Sequence, residues 1–260
     1  ALRDPTPVAL GYGPSRLIVV NADLRGARLV SGARGELQRR LLERARAIPG
    51  VERATATFGI PFWRSNSTDL FVPGRDSLGR LGTFYQNIVA EDYFDATGTT
   101  LLRGRVLTLA GRSSGARVTL VSEMLASKVW PDRDPIGQCL KVGADTMPCA
   151  EVVGIVKDVR WGSLGDEDRM QFYDPMPLDE AGALFLRVTG DPRRLIEPVR
   201  RELQGVLPGL GYVDVRSLDS SLDHVFRPWR LGATMFTLFG ILALLVSAVG
   251  LYGVIAYSVT

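Results

Sequence analysis

Leu184-Phe-Leu-Arg-Val188 and Tyr212-Val-Asp-Val-Arg216 both have the apolar, β-branched content of strands, and the segment between them reads as a helix. Asp191-Pro192 is a good helix start, and Leu195, Val199, Leu203 and Val206 recur at the spacing of one helical face. Pro208-Gly209 then stops the helix. The same order occurs near the start of the chain. Leu17-Ile-Val-Val20 reads as a strand, Leu37, Leu41, Ala45 and Ile48 form the apolar stripe of a helix over 36–48, and Pro49-Gly50 ends it before the strand Val51-Glu-Arg-Ala-Thr-Ala-Thr-Phe58. Two strand-helix-strand units in one sequence indicate internal duplication, and two such units can share a four-stranded sheet with both helices on one face, the ferredoxin-like arrangement.

Between the units, over 59–178, the pattern changes to short strands with frequent Gly and Pro and only short helices. Strands are expected at 69–72, 84–89, 118–121 and 151–156, and short helices at 91–96 and 122–130, the second capped by Ser122. The predicted fold class is therefore α+β. A ferredoxin-like subdomain is built from 1–58 and 179–226, a β-rich subdomain over 59–178 is inserted in it, and a transmembrane helix follows over 229–260.

The last segment is read from charge and length. Residues 231–260 contain no charged side chain, and their centre is Phe239-Gly-Ile-Leu-Ala-Leu-Leu-Val-Ser-Ala-Val-Gly-Leu251. A helix needs roughly 20 apolar residues to cross about 30 Å of hydrocarbon. Residues 231–251 supply that length, with Gly240, Ser247, Ala248, Gly250 and Gly253 suited to close helix contact. The alternative, a buried core helix, usually carries a polar face. Trp229 and Arg230 stand where interfacial anchors belong, with Tyr252 and Tyr257 toward the other end. The chain stops while still apolar and starts at Ala1 without a Met or a signal-like segment, so a fragment of a longer protein is expected.

Composition narrows the function. The 260 residues are 46% hydrophobic, enough for a substantial core. With 31 basic against 28 acidic residues the net charge is +3 and no five-residue run is uniformly basic, so nucleic acid is not an expected partner. No HExxH, CxxC or GxxxxGK[ST] motif occurs, and His224 is the single histidine; no catalytic, cofactor-binding or metal-ligating residue is assigned, no cofactor is expected and the chain is not read as an enzyme. Gly111-Arg-Ser113-Ser-Gly115 matches GxSxG formally, and a hydrolase would pair Ser113 with His224 and an acid such as Asp219. The elbow, however, requires a strand, a sharp turn and a helix, whereas a strand follows here, so a surface loop is the expected reading. Asn66-Ser67-Thr68 is taken as an ordinary loop and Asp166-Glu-Asp168 as a solvated turn. The residues between Cys139 and Cys149 resemble a hairpin turning at Gly143-Ala-Asp145, which places both cysteines on facing strands. A disulfide is expected if the compartment is oxidising, two unpaired thiols being the alternative.

Several further segments carry a resemblance: Ile48-Pro-Gly-Val-Glu52, Glu91-Asp-Tyr-Phe-Asp95 leading to Gly98, Leu102-Arg-Gly-Arg105, Val121-Ser-Glu123 and Trp130-Pro-Asp-Arg-Asp-Pro-Ile-Gly137. Glu151-Val-Val-Gly-Ile-Val-Lys-Asp-Val-Arg160, Phe172-Tyr-Asp-Pro175 and Val249-Gly-Leu-Tyr-Gly-Val-Ile-Ala-Tyr-Ser-Val259 follow in order. Together they resemble the MacB-like periplasmic core domain of bacterial ABC transporter permeases joined to the start of an FtsX-like permease domain, most closely the duplicated-permease subgroup. The resemblance implies that residues 1–226 lie outside the cytoplasmic membrane, between the first and second transmembrane helices. It also implies a separate ABC ATPase subunit, a second permease unit, and coupling of ATP hydrolysis to substrate efflux or to force on an extracytoplasmic partner. Arg227 and Arg230 on the expected outer side run against the positive-inside tendency. A membrane-anchored extracytoplasmic sensor or binding module is the alternative, since one helix would suffice for it.

Overall fold

The structure is a computed structural model that describes residues 16–24, 33–59, 66–75, 78–108, 117–159, 170–177, 180–209 and 211–258, with side chains described outside 221–231 and 250–258. In chain order, β1 (Leu17–Asp23), α1 (Ala33–Arg46) and β2 (Val51–Thr57) come first. They are followed by β3 (Asn66–Ser67), β4 (Leu70–Phe71), β5 (Phe84–Val89), α2 (Tyr93–Thr97), β6 (Leu101–Gly104), β7 (Arg117–Ser122), α3 (Glu123–Val129), β8 (Cys139–Val142), β9 (Ala150–Val156) and β10 (Met170–Pro175). The chain closes with β11 (Ala183–Val188), α4 (Pro192–Gln204), β12 (Tyr212–Ser217) and α5 (Leu218–Ser258). Two compact units result, residues 1–219 and 220–260.

In the first unit the duplicated elements lie side by side in the order β12-β1-β11-β2, every neighbouring pair antiparallel. This is the ferredoxin-like order, in which β11 separates the two strands of the first unit. Strand alternation sends successive side chains to opposite faces. Ile18, Val20, Ala54, Ala56, Leu184, Leu186, Val213 and Val215 therefore share one face with Leu37, Leu41, Leu42 and Ala45 of α1 and Val199 and Leu203 of α4. Leu37, Leu41 and Ala45 of the stripe that the sequence marks are buried on α1, and Ile48, two residues past its end, is buried as well. Asp191 caps α4, its carboxylate accepting from the Arg193 N–H at 3.0 Å, and Pro192 follows in the first turn.

The opposite face carries Leu17, Val19, Ala183 and Phe185, and it is covered by residues of the insertion: Tyr93 and Phe94 of α2 with Val118, Leu120, Val153, Val156 and Tyr173. The twelve strands among the described residues form one sheet continuing β2-β5-β10-β7-β9-β8-β4, with β3 on β5 and β6 on β9. Strands far apart in that order share one core, so the sheet curls back on itself, and its joint is the single residue pair Thr57↔Val89. Tyr93 and Phe94 meet edge-on, with ring centroids 5.4 Å apart, and Phe94 lies 5.2 Å from Tyr173. The far face of the insertion packs α3 and Trp130 against Val121, Val152, Ile155 and Phe172. Ser122 caps α3 as the sequence implies, its Oγ accepting from the Leu125 N–H.

Differences from the sequence reading have local causes. β10 is buried on both faces at Met170, Gln171, Phe172 and Tyr173, so it shows no alternation. It pairs parallel to β5 and antiparallel to β7. Asn66 and Ser67 are a short strand on β5 and not an ordinary loop, because their backbone completes a ladder with Gln86 and Tyr85. The terminal helix α5 starts at Leu218, well before 229, since it follows β12 directly and Pro228 falls within it.

Candidate functional site

Two features are candidates: a groove at one end of the sheet, and the apolar helix.

The groove is built from strand ends. Antiparallel pairing of β7 with β10, Leu120 against Tyr173, brings the start of β7 to the end of β10, and parallel pairing of β7 with β9 sets Arg117 beside Ala150. Arg117, Val118, Asp174 and Pro175 therefore gather at one sheet end, joined by Gln86 of β5 and by Val142, Met147 and Pro148 of the β8–β9 hairpin, around a volume of about 340 Å³. Gln86 donates from Nε2 to Asp174 Oδ2 at 2.8 Å. Arg117 is exposed and has no ion pair among the described residues. The hairpin wall is held covalently: Cys139 and Cys149 are bonded, their Cα atoms 5.2 Å apart. Lys141 adds hydrogen bonds from Nζ to the Asp145 carbonyl at 2.6 Å and to its Oδ1 at 2.9 Å, and Gly143 turns with φ of +90°. No sequence signal marks this groove, because its residues come from five strands and a loop spread over positions 86 to 175.

Three titratable groups outside the groove lining have structural roles. Asp134 accepts from the Ile136 N–H at 3.1 Å and from Arg103 at 2.6 Å, and these bonds hold its carboxyl below the usual range. Burial pushes the Tyr173 phenol up, with Asp158 adding to the effect, and its hydroxyl donates to Gln171 Oε1 at 3.0 Å. Arg187 is lowered by burial first and then by Arg16, and it donates from Nε to the Ala96 carbonyl at 2.7 Å. Among the described residues no three His, Cys, Asp or Glu side chains form a metal cluster.

The helix is different in kind. Gly232–Val249 has mean hydropathy 2.1 with none of its residues buried, and Phe236, Leu244 and Val249 are 80%, 72% and 72% exposed. Consecutive apolar residues expose every side of the helix to its surroundings, and the Thr237 hydroxyl donates to the Ala233 carbonyl at 2.8 Å, so its polar group is satisfied within the helix. At 1.5 Å per residue the 18 residues span about 27 Å, close to the thickness of a hydrocarbon core. Trp229 and Arg230 fall in α5, but their side chains, like that of His224, lie outside the described residues, as do Ser113 with its glycines and Asp166-Glu-Asp168.

A curled α+β sheet body followed in the chain by a candidate membrane span, the one found among the described residues, defines the class of protein. The family model described as the MacB-like periplasmic core domain matches residues 8–206, and the chain belongs to that family. Its fold is similar to the periplasmic region of MacB from Actinobacillus actinomycetemcomitans, with TM-score 0.55 and 14% identity over 83% of this chain and 94% of that one. It is also similar to the extracellular domain of the noncanonic ABC-type transporter YknZ from Gram-positive bacteria, with TM-score 0.50 and 15% identity over 76% of this chain and 99% of that one. No curated protein matches the sequence.

Proposed function

We propose that this chain is the extracytoplasmic part of an ABC transporter permease subunit, with residues 1–226 outside a bacterial cytoplasmic membrane and the segment from 229 crossing it. In this reading 1–58 and 179–226 are the two halves of a porter-like subdomain and 59–178 is the β-rich subdomain inserted between them. The chain does no chemistry. A separate ATPase subunit hydrolyses ATP on the far side of the membrane, a second permease unit completes the transporter, and the outer domain couples that cycle to substrate efflux or to force on a partner. The observation that carries the proposal is the family match over 8–206 followed, without a loop after β12, by the helix that contains Gly232–Val249.

The test uses the full-length protein that contains this domain, co-expressed with candidate ABC ATPase subunits. Affinity purification in detergent is expected to recover an ATPase, and vesicles holding the pair are expected to hydrolyse ATP in a manner that depends on the permease. Recovery of the permease alone, with vesicle ATP hydrolysis unchanged by its presence, overturns the proposal.

A further inference from the structure

We infer that the groove at the hairpin end of the sheet binds the C-terminal end of an apolar peptide segment, held by its free carboxylate. This goes beyond the transporter reading and does not rest on it.

The chemistry of the walls selects the ligand. Arg117 offers a guanidinium that is exposed and has no ion pair among the described residues, while Asp174, on the neighbouring strand β10 and lining the same groove, accepts from Gln86. A guanidinium with its donors free is matched by a planar carboxylate. The bond from Gln86 Nε2 to Asp174 orients the amide, so its Oε1 remains an acceptor suited to a peptide N–H. Val142, Met147 and Pro148 form the apolar wall, and Met147 is 39% exposed. Methionine is flexible and polarisable and adapts to different apolar side chains. A donor for a carboxylate, an acceptor for an N–H and an apolar wall together describe the last residue of a peptide. A fatty acid would use the first and third and leave Gln86 Oε1 without its donor.

Size and rigidity agree with this. About 340 Å³ lies at the low end of the roughly 300–1,000 Å³ of small-ligand sites and accommodates a short terminal segment. The wall is pre-formed, because Cys139–Cys149 closes the hairpin, Lys141 ties its turn, and the Met147 N–H donates to the Ala144 carbonyl at 3.0 Å. A pre-ordered wall lowers the entropy lost on binding.

The experiment uses the full chain in detergent micelles and fluorescence anisotropy of dansyl-Ala-Leu-Leu with a free C-terminus. Competitors are acetyl-Ala-Leu-Leu, its C-terminal amide, and hexanoate. The free acid is expected to displace the probe about tenfold or more better than the amide, since a hydrogen bond to a charged group is lost in the amide. Arg117→Gln is expected to remove that preference, Gln86→Leu to weaken the peptide acid but not hexanoate, and Met147→Ala to weaken acid and amide alike. Unchanged circular dichroism melting of the three variants shows that they are folded. Equal binding of acid and amide, a preference that survives Arg117→Gln, displacement by hexanoate as strong as by the peptide acid, or no saturable binding up to about 1 mM each overturns the assignment.

Discussion

Gly104 and Gly154 face each other where β6 meets β9, and the two glycines explain why that pair can form at all. A Cβ added to Gly104 would stand 2.3 Å from the Val153 carbonyl oxygen and 2.6 Å from Gly154 Cα, and its φ of +85° disfavours any L side chain as well. Both obstacles are backbone, so nothing flexible can yield. Gly104→Ala is expected to destabilise the domain by about 2–4 kcal/mol in urea unfolding. Gly137→Ala, at φ +83° with nothing within 4 Å, should lose only about 1 kcal/mol. Equal unfolding midpoints for the two variants would contradict the contact argument. The unusual backbone at Gly137 is legible in Asp134-Pro135-Ile-Gly137, whereas the reason for Gly104 is not. Its obstacle belongs to a strand that lies some fifty residues on and reaches it only through pairing.

Elements divide in the same way. α1 and α4 can be read from their apolar stripes and Pro-Gly stops because an amphipathic surface helix writes its buried face into the sequence every three to four residues. β10 leaves no such trace, since both its faces are covered. The β8–β9 hairpin is intermediate. Its turn and cysteines are visible in the sequence, and pairing of Leu140 with Ala150 sets the two cysteines at bonding distance. A bond closing this ten-residue separation restricts the unfolded chain by about 3 kcal/mol on the loop-entropy account. Exported protein analysed without reduction is expected to give one peptide pair linking Cys139 to Cys149. Cys139→Ser with Cys149→Ser should lower stability by a similar amount, and two freely alkylated thiols in the unreduced protein would rule out the linkage.

For the molecule as a whole the question is whether α5 lies in lipid. Its exposed apolar side chains are costly in water and favourable in hydrocarbon. The full chain expressed in bacteria is expected to remain in the membrane pellet after alkaline carbonate extraction. Leu244→Arg adds roughly 2.5–3.5 kcal/mol to insertion at mid-span, and Phe239→Arg with Leu244→Arg should release the chain to the supernatant. Wild-type protein that stays monomeric in the carbonate supernatant would argue against a span.

The sequence alone determined the duplicated strand-helix-strand units, their helix stops and caps, the uncharged terminal stretch and the family resemblance, because each is written in residues close together along the chain. Tertiary structure decided that the sheet curls onto itself through Thr57 and Val89, and that Gln86, Arg117, Met147 and Asp174 line one groove. Those outcomes depend on strand register between distant segments, and register is set by which buried faces can be satisfied together, a condition that no local run of residues expresses.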